Sequence, residues 1–211
     1  MSTKIDLSPN NLLAAYCQGI FPMGDSSGNV NWYEADPRGI VPLDQLHIPH
    51  DLKRILRQKK FTTTLNRCFL RTIKACADRP EPTWINDDII AAYYRFHEIG
   101  HAHSVETWLD GELAGGLYGV TVGSAYFGES MFHFKRDASK VALAHLWYWL
   151  KRSGFVLFDI QMITDVLQRF GARHVSKKDY LAMLKQATVK KRVLEYSEID
   201  WQHEFATNNH K

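Results

Sequence analysis

The segment of residues 137–154, DASKVALAHLWYWLKRSG, most constrains the fold of this chain. Asp137 stands where a helix cap is expected, and Gly154 stands where a helix ends. Between them, apolar residues occupy almost every face of the predicted helix. A helix that is apolar all round has to be covered on every side. We therefore expect a central, buried helix with a sheet packed against it.

The patterns on either side of this helix predict that sheet. Residues 104–132 alternate or cluster like strands, and Asp-Gly-Glu at 110–112 is typical of a hairpin turn. The apolar run at 155–162 predicts one further, buried strand after the helix. Antiparallel hairpins followed by helix, strand and helix predict an α+β or mixed α/β fold. An α+β, acetyltransferase-like (GNAT-like) domain with a mixed sheet and a buried central helix fits this order.

Caps, stops and apolar spacing predict further helices along the chain. They cover residues 7–22, 48–60, 65–78, 86–99, 164–171 and 177–187. Residues 24–39 have the composition of a loop, with frequent Gly, Asp, Ser and Asn. From about residue 189 the chain is polar, and a poorly ordered tail is expected there.

Composition argues against several classes of protein. The chain has 211 residues, a net charge of +3 and three cysteines without a CxxC pair, which disfavours a disulfide framework or a zinc site. The N-terminus lacks a signal-peptide pattern, and the most apolar stretch, residues 141–150, is too short to span a bilayer. The sequence carries no dinucleotide, P-loop, nucleophile-elbow or acetyl-CoA pyrophosphate motif. We expect a reduced, cytoplasmic protein that does not bind membranes.

A carboxylate interrupts the apolar strand predicted at 155–162. Asp159 lies in the run LFDIQ, and a buried carboxylate is costly unless it is paired or hydrogen-bonded. Residues i and i+2 of a strand face the same side, so Asp159 and Gln161 should point one way and Phe158 and Ile160 the other. This polar pair is either a catalytic site or a structural Asp bonded to a neighbouring helix N-terminus.

Two further groups of polar residues could carry chemistry. Glu129 lies in the apolar and aromatic stretch FGESMF, and it marks either a site or an exposed strand end. His97, His101 and His103 have a spacing that resembles a metal site. Gly100 should end the helix between them, however, and no Glu stands in the HExxH register. We expect hydrogen-bonded structural histidines and no metal.

Several stretches together resemble one family. AYCQGIFPM, WYEADPRGIVPL, TWI, GHAHSVETWLDGELAGGLYGV, FGESMF, DASKVAL, DIQ, LQRFGA and DYL occur in this order. They resemble the bacterial leucyl/phenylalanyl-tRNA–protein transferases, from about residue 6 to about residue 186. The resemblance implies an enzyme that moves Leu or Phe, with Met as a further donor, from aminoacyl-tRNA to the N-terminal Arg or Lys of a protein. The product carries an N-end-rule degradation signal, and no cofactor is implied.

The resemblance also implies roles for the polar residues. Asp159 would receive the proton of the acceptor amine, Gln161 would orient that amine through its carbonyl oxygen, and Glu129 would add negative charge for the cationic acceptor. Asp159 would then be tolerated in an apolar strand because the acceptor is its intended partner. Its neutralisation would spare folding and lower turnover.

The donor side of the site follows from the same resemblance. Leu117, Met131 and Phe158 match an apolar pocket for the Leu or Phe side chain, and Tyr16, Trp84 and Tyr126 match positions near the terminal adenosine. Met23 stands where the family usually has Trp. The full substrate-binding set is Tyr16, Met23, Trp84, Leu117, Tyr126, Ser130, Met131 and Phe158. Lys53, Arg54 and Arg57 match a basic helix that contacts tRNA.

The resemblance divides the chain into three parts and leaves two other functions open. We expect an abbreviated N-terminal domain at 1–36, a GNAT-like catalytic domain at 37–188 and a polar tail at 189–211, in a monomer. The short N-terminus and Met23 would suit a tRNA-binding adaptor without catalysis, which intact Glu129, Asp159 and Gln161 disfavour. A CoA-dependent N-acetyltransferase is disfavoured by the missing pyrophosphate loop.

Overall fold

The centre of the fold is a seven-stranded mixed sheet in the order β4-β5-β6-β7-β8-β3-β9. It is seen in a computed structural model that describes residues 5–45, 47–78 and 83–207. The strands are β3 (Arg38–Ile40), β4 (Thr62–Leu65), β5 (Ala102–Leu109), β6 (Glu112–Val122), β7 (Ala125–His133), β8 (Leu157–Gln161) and β9 (Arg173–Val175). Neighbours pair antiparallel except β7 and β8, which are parallel.

The predicted central helix is present as α5 (Ala138–Arg152), between the parallel strands β7 and β8. Its apolar faces are buried, as expected. Parallel neighbours need a crossover connection, and α5 supplies it. The expected α+β fold with a mixed sheet and a buried central helix is confirmed. Asp137 occupies the predicted N-cap position, but its side chain makes no capping bond and instead accepts a hydrogen bond from Lys140 Nζ at 2.7 Å.

Helices cover both faces of the sheet. Neighbouring residues of strand β6 belong to different apolar clusters. Leu117 packs in the cluster that includes α5. Tyr118 packs in the cluster that includes α3 (Phe69–Ala77) and α4 (Asp87–Glu98). Successive strand residues point to opposite faces. All of β6 after Glu112 is therefore buried.

The N-terminal region packs on this sheet as a helix and a small hairpin. Helix α1 (Pro9–Cys17) begins after Ser8 and stops before Gly19, as predicted, and Gly19 has the positive φ of 76° that a helix stop favours. The hairpin strands β1 (Phe21–Gly24) and β2 (Val30–Tyr33) pair antiparallel. The loop predicted at 24–39 therefore contains β2 and the start of β3, because strands this short leave too few residues for a period-2 pattern.

Two predicted helices were placed correctly in part. Residues 62–65 form β4, and the helix predicted at 65–78 begins only at Phe69 as α3. The helix predicted at 48–60 is present as α2 (His50–Arg57). No helix in the described ranges is long and apolar enough to cross a bilayer.

The C-terminal part differs most from expectation. After α6 (Asp165–Arg169) and α7 (Lys177–Val189), the chain forms a further helix, α8 (Trp201–Thr207). Leu194, Trp201 and Phe205 are buried in the core cluster around α5. The prediction of a poorly ordered tail is therefore wrong for residues 190–207, because a few large apolar residues at wide spacing are sufficient to hold the segment.

Candidate active site

A cavity of about 550 Å³ lies where strands β7 and β8 separate. Their pairing ends at Phe127 and Asp159, and the residues that follow on each strand form two of its walls. The cavity brings together eight residues that the sequence had suggested. They are Met23, Trp84, Leu117, Glu129, Ser130, Met131, Phe158 and Gln161.

Most of the cavity wall is apolar. Leu117, Met131 and Phe158 lie together, as the resemblance implied for a Leu or Phe pocket. Sequence reasoning missed other parts of this wall, which include Leu143, Leu146, Ile160, Val166 and Leu167. The apolar pattern of α5 and of residues 155–162 marked several of them as buried, but burial alone does not distinguish a cavity wall from solid core.

The side-chain directions along β8 differ from the prediction. Phe158 and Ile160 line the cavity, whereas Asp159 has no exposed surface and does not reach it. Gln161 lines the cavity although regular alternation would place it beside Asp159. Its backbone has a positive φ of 55°, which ends the regular strand and turns the side chain. The expectation that Asp159 and Gln161 face the same side is therefore wrong.

Asp159 already has a cationic partner within the protein. Arg38 donates from Nε to Oδ1 at 2.9 Å and from Nη2 to Oδ2 at 2.8 Å. Tyr180 donates its hydroxyl to Oδ2 at 2.5 Å, and the backbone N–H of Gln161 donates to Oδ1 at 2.9 Å. The expectation that the acceptor substrate is the partner of Asp159 is wrong. Arg38 lies 121 residues earlier, and no local pattern connects it to β8.

Arg38 is itself fully enclosed. It is 1% exposed, donates from Nη1 to the Gly19 carbonyl at 2.8 Å, and lies between the rings of Phe21 and Tyr180 at 5.0 and 4.6 Å. Burial lowers the pKa of Arg38, but the charge of Asp159 and the hydrogen bonds to it raise that pKa by more. The guanidinium therefore stays charged, and its fork matches the carboxylate in a bidentate pair.

Glu129 lines the cavity, and two tyrosines hold its carboxylate. Tyr16 donates its hydroxyl to Oε1 at 2.7 Å, Tyr93 donates to Oε2 at 3.4 Å, and the two tyrosine hydroxyls also contact each other. Burial raises the pKa of Glu129 to about 7, the Tyr16 hydrogen bond lowers it, and the charge of Asp159 raises it. A carboxylate with this pKa can gain or lose a proton near neutral pH.

The Gln161 amide is held by backbone groups. With its nitrogen toward the two carbonyls beside it, the amide donates to Gly128 O at 2.8 Å and to Ile160 O at 3.0 Å. Both amide hydrogens are then used. The amide oxygen is left as the acceptor that the side chain offers.

Two residues of the predicted substrate-binding set lie outside the cavity. Tyr16 and Tyr126 have no exposed surface and do not line it, so the structure does not bring them to the predicted adenosine contact. Tyr16 instead holds Glu129, and Tyr126 packs edge-on against Phe158 with ring centroids 5.4 Å apart. Both tyrosines act behind the cavity wall.

Comparisons of the sequence with known proteins identify one family. Residues 40–185 match the model of the family described as leucyl/phenylalanyl-tRNA protein transferase, and residues 5–36 match that of its N-terminal domain. The chain belongs to the leucyl/phenylalanyl-tRNA–protein transferase family. A family member from Salinibacter ruber is 51% identical over 82% of this chain and 76% of its own length. Another member, from Akkermansia muciniphila, is 49% identical over 86% of this chain and 96% of its own length.

Solved structures with partial similarity to this transferase-family chain are more distant. L-PGS from Bacillus licheniformis has a TM-score of 0.42 and 11% identity, covering 74% of this chain and 66% of its own. A ribosomal-protein-alanine N-acetyltransferase from Brucella melitensis has a TM-score of 0.36 and 11% identity. The match covers 66% of this chain and 96% of the acetyltransferase.

The basic helix α2 of this transferase-family protein lies apart from the cavity wall. Leu52 and Leu56 bury its inner side, while Arg54 and Arg57 are exposed and Lys53 is half-buried. None of the three cations lines the cavity. Their predicted contact with tRNA stays a prediction.

The three histidines that resembled a metal site are held by hydrogen bonds. His97 Nδ1 contacts Ala102 O at 2.8 Å, His101 Nδ1 contacts Thr121 O at 2.9 Å, and His103 Nε2 contacts Thr121 Oγ1 at 3.1 Å. Burial lowers the pKa of His103 to about 4, so this imidazole is neutral. Within the part of the chain that the structure describes, no group of three or more His, Cys, Asp or Glu could hold a metal ion.

Proposed function

We propose that this protein moves Leu or Phe, and also Met, from aminoacyl-tRNA to the N-terminal Arg or Lys of acceptor proteins, marking them for degradation by the N-end rule. The observation that carries the proposal is that Glu129 and Gln161 line the same cavity as the apolar side chains of Leu117, Met131 and Phe158. Membership of the family supports the same reaction class. The cavity volume, about 550 Å³, suits an aminoacyl group attached to an adenosine.

The donor is an activated ester, so the enzyme has to place an amine against its carbonyl carbon. The Leu or Phe side chain occupies the apolar wall formed by Leu117, Met131 and Phe158. Met23 and Trp84, at the other side of the cavity, contact the terminal adenosine. The carbonyl oxygen of Gln161 accepts a hydrogen bond from the acceptor amine and orients it.

Glu129 is the group we assign to the proton transfer. A free α-amino group titrates at about 8, and a carboxylate with a pKa of about 7 is well matched to take its proton. The ammonium first gives up one proton to solvent through Glu129. The neutral amine nitrogen then forms a bond to the ester carbon, the second proton that it loses passes to Glu129, and the ester C–O bond breaks. The proton then returns to the ribose oxygen, and the tRNA leaves with a free hydroxyl. The negative charge of Glu129 also attracts an acceptor whose side chain is cationic.

Asp159 takes a different role from the one that the resemblance implied. Among the described residues, its hydrogen bonds go to Arg38, Tyr180 and the Gln161 backbone, so we assign it a positioning role rather than that of proton acceptor. It fixes the Gln161 backbone in the unusual conformation that turns the amide into the cavity. Its charge also contributes to the raised pKa of Glu129.

The direct test incubates the purified protein with labelled Leu-tRNA and a peptide that begins with Arg. We expect labelled Leu on the peptide without added nucleotide and in the presence of a chelator. A peptide that begins with an acetylated Arg is the matched control, because it keeps the cation and lacks the amine. Binding of tRNA without transfer would identify an adaptor, and modification only from acetyl-CoA would identify an acetyltransferase; either result would overturn the proposal.

A further inference from the structure

The C-terminal segment, residues 190–207, follows the surface of α5. Arg192 Nε donates to Gly154 O at 3.3 Å, and Trp149 Nε1 donates to Ser197 O at 2.7 Å. Farther along, Trp201 Nε1 donates to His145 Nε2 at 3.2 Å. The matches to the two family models cover residues 5–36 and 40–185, so this segment lies beyond both.

The segment ends against the basic helix α2. Phe205 is 7% exposed, and its ring lies 5.6 Å from Lys53 Nζ and 5.0 Å from Arg57 Cζ. Trp201 stacks on Phe205, with the two ring centroids 5.4 Å apart. One aromatic ring thus contacts two of the three cations that are predicted to bind tRNA.

Helix α2 depends on such packing. It has only eight residues, its N-cap position is Pro49 without a side-chain capping bond, and it buries only Leu52 and Leu56. A helix this short is marginal without tertiary contacts. Two buried leucines permit some rotation of the helix, whereas a cation held over a ring face has a defined direction.

We propose that the C-terminal segment fixes the orientation of α2 and that Phe205 is a positioning residue for tRNA binding. The inference rests on the proposed function of α2 as the tRNA-contacting helix. Phe205 holds Lys53 and Arg57 in the geometry that meets the phosphates, while Arg54 projects from α2 without contacting this ring. The segment therefore contributes to substrate affinity without touching the substrate.

The test compares two aromatic residues of the same segment in the full-length protein. Phe205→Leu keeps a buried apolar side chain and removes the ring face, and Tyr196→Leu removes a ring that packs on Trp149 instead. We expect Phe205→Leu to raise the KM for Leu-tRNA roughly five-fold with little change in kcat. Its salt dependence should become shallower because fewer phosphate contacts remain. Phe205→Tyr keeps the ring face and should have the KM and the salt dependence of the wild type. Tyr196→Leu should also leave both quantities unchanged.

A purely structural role for Phe205 predicts another result. A smaller folded fraction lowers the apparent kcat and the melting temperature but leaves KM and the salt slope unchanged, and this outcome would overturn the inference. Arg54→Glu separates this failure from that of the proposed function. If Arg54→Glu leaves KM and the salt slope unchanged, α2 does not bind tRNA and the underlying proposal is wrong. If Arg54→Glu raises KM and Phe205→Leu does not, only the inference about Phe205 is wrong.

Discussion

Asp159 and Glu129 are close in the fold, but their partners give them different tasks. Asp159 faces a buried guanidinium, whereas Glu129 faces two neutral hydroxyls and an open cavity. Removing one member of a buried ion pair leaves the other charge without compensation. Removing the charge of Glu129 breaks no such pair, because its hydrogen-bond partners are the neutral hydroxyls of Tyr16 and Tyr93. The two carboxylates should therefore respond in opposite ways to neutralisation.

Asp159→Asn should destabilise the protein strongly, by about 3–5 kcal/mol, because it leaves Arg38 charged and buried. This reverses the expectation from sequence that folding would be spared. Urea denaturation measures the free energy of unfolding, and single-turnover transfer per folded molecule measures the chemistry. Glu129→Gln is the matched control: it should unfold at or above the wild-type urea concentration at pH 8 and still lose transfer. Equal stability of Asp159→Asn and the wild type would contradict the structural role of the ion pair.

The pH dependence of transfer should report the ionisation of Glu129. The base is active when deprotonated, so single-turnover rates at saturating acceptor should rise with pH through about 7. Tyr16→Phe removes a hydrogen bond that favours the charged form, so it should raise the pKa of Glu129 and move the midpoint to higher pH. The titration of the substrate amine is the same for both proteins. An unmoved midpoint in Tyr16→Phe would assign the rise to another group.

At the scale of elements, the N-terminal hairpin β1–β2 brings Met23 to the cavity. Gly24 N donates to Trp84 O at 2.9 Å, and Asn86 Nδ2 donates to Gly28 O at 3.1 Å, so the hairpin is tied to the segment that carries Trp84. Both residues line the same cavity. A base bound there meets one aromatic surface and one flexible thioether side chain.

Met23→Trp should supply a second stacking surface and tighten the binding of aminoacylated adenosine by at most about 1 kcal/mol. Met23→Leu, which is apolar but has no ring face, is the control and should bind as the wild type does. Affinity is measured by displacement of labelled Leu-tRNA in the absence of acceptor. Weaker binding by Met23→Trp than by Met23→Leu would mean that residue 23 crowds the adenosine instead of stacking on it.

The elements differ in how far their sequence determines them. Helix α5 was predictable because its apolar residues cover every face, and only a buried position accommodates that pattern. Strand β3 was not, since three residues show no period and its two partners, β8 and β9, lie more than a hundred residues away. The burial of Arg38 was not predictable for the same reason, because it depends on Asp159 and Tyr180, which are distant in the sequence. The cavity residues of β7 and β8 were accessible from motifs, but the positive φ at Gln161 that turns one of them inward was not.

At the scale of the whole molecule, stability depends on groups that are buried in one protonation state. His103 is 7% exposed and its pKa is lowered to about 4, mainly by burial, so the fold holds it neutral while the unfolded chain protonates it near 6.5. Its contribution to stability is complete above pH 6.5 and is lost as pH falls toward 4. Glu129, with a raised pKa, contributes in the opposite direction over pH 4.5 to 7.

His103→Gln should make the slope of the unfolding free energy against pH less positive between pH 5 and 6.5, because Gln offers hydrogen bonds without titrating. In the wild type, the His103 contribution to this dependence should be up to roughly 2 kcal/mol over that window. Urea denaturation at several pH values gives the slope for both proteins. Glu129→Gln measured in parallel should steepen the slope, since it removes the opposing contribution. Identical slopes for His103→Gln and the wild type would show that His103 titrates normally in the fold.

The ion pair between Arg38 and Asp159 also sets the order in which the protein can be completed during synthesis. Arg38 leaves the ribosome 121 residues before Asp159, which at about 5–20 residues per second corresponds to a delay of roughly 6–24 s. Tyr180, which completes the cluster, is made later still. Until then, burial of the guanidinium is not compensated by the complete cluster, so the guanidinium stays hydrated. A nascent or prematurely terminated chain therefore lacks the complete Arg38–Asp159–Tyr180 cluster until α7 has been translated.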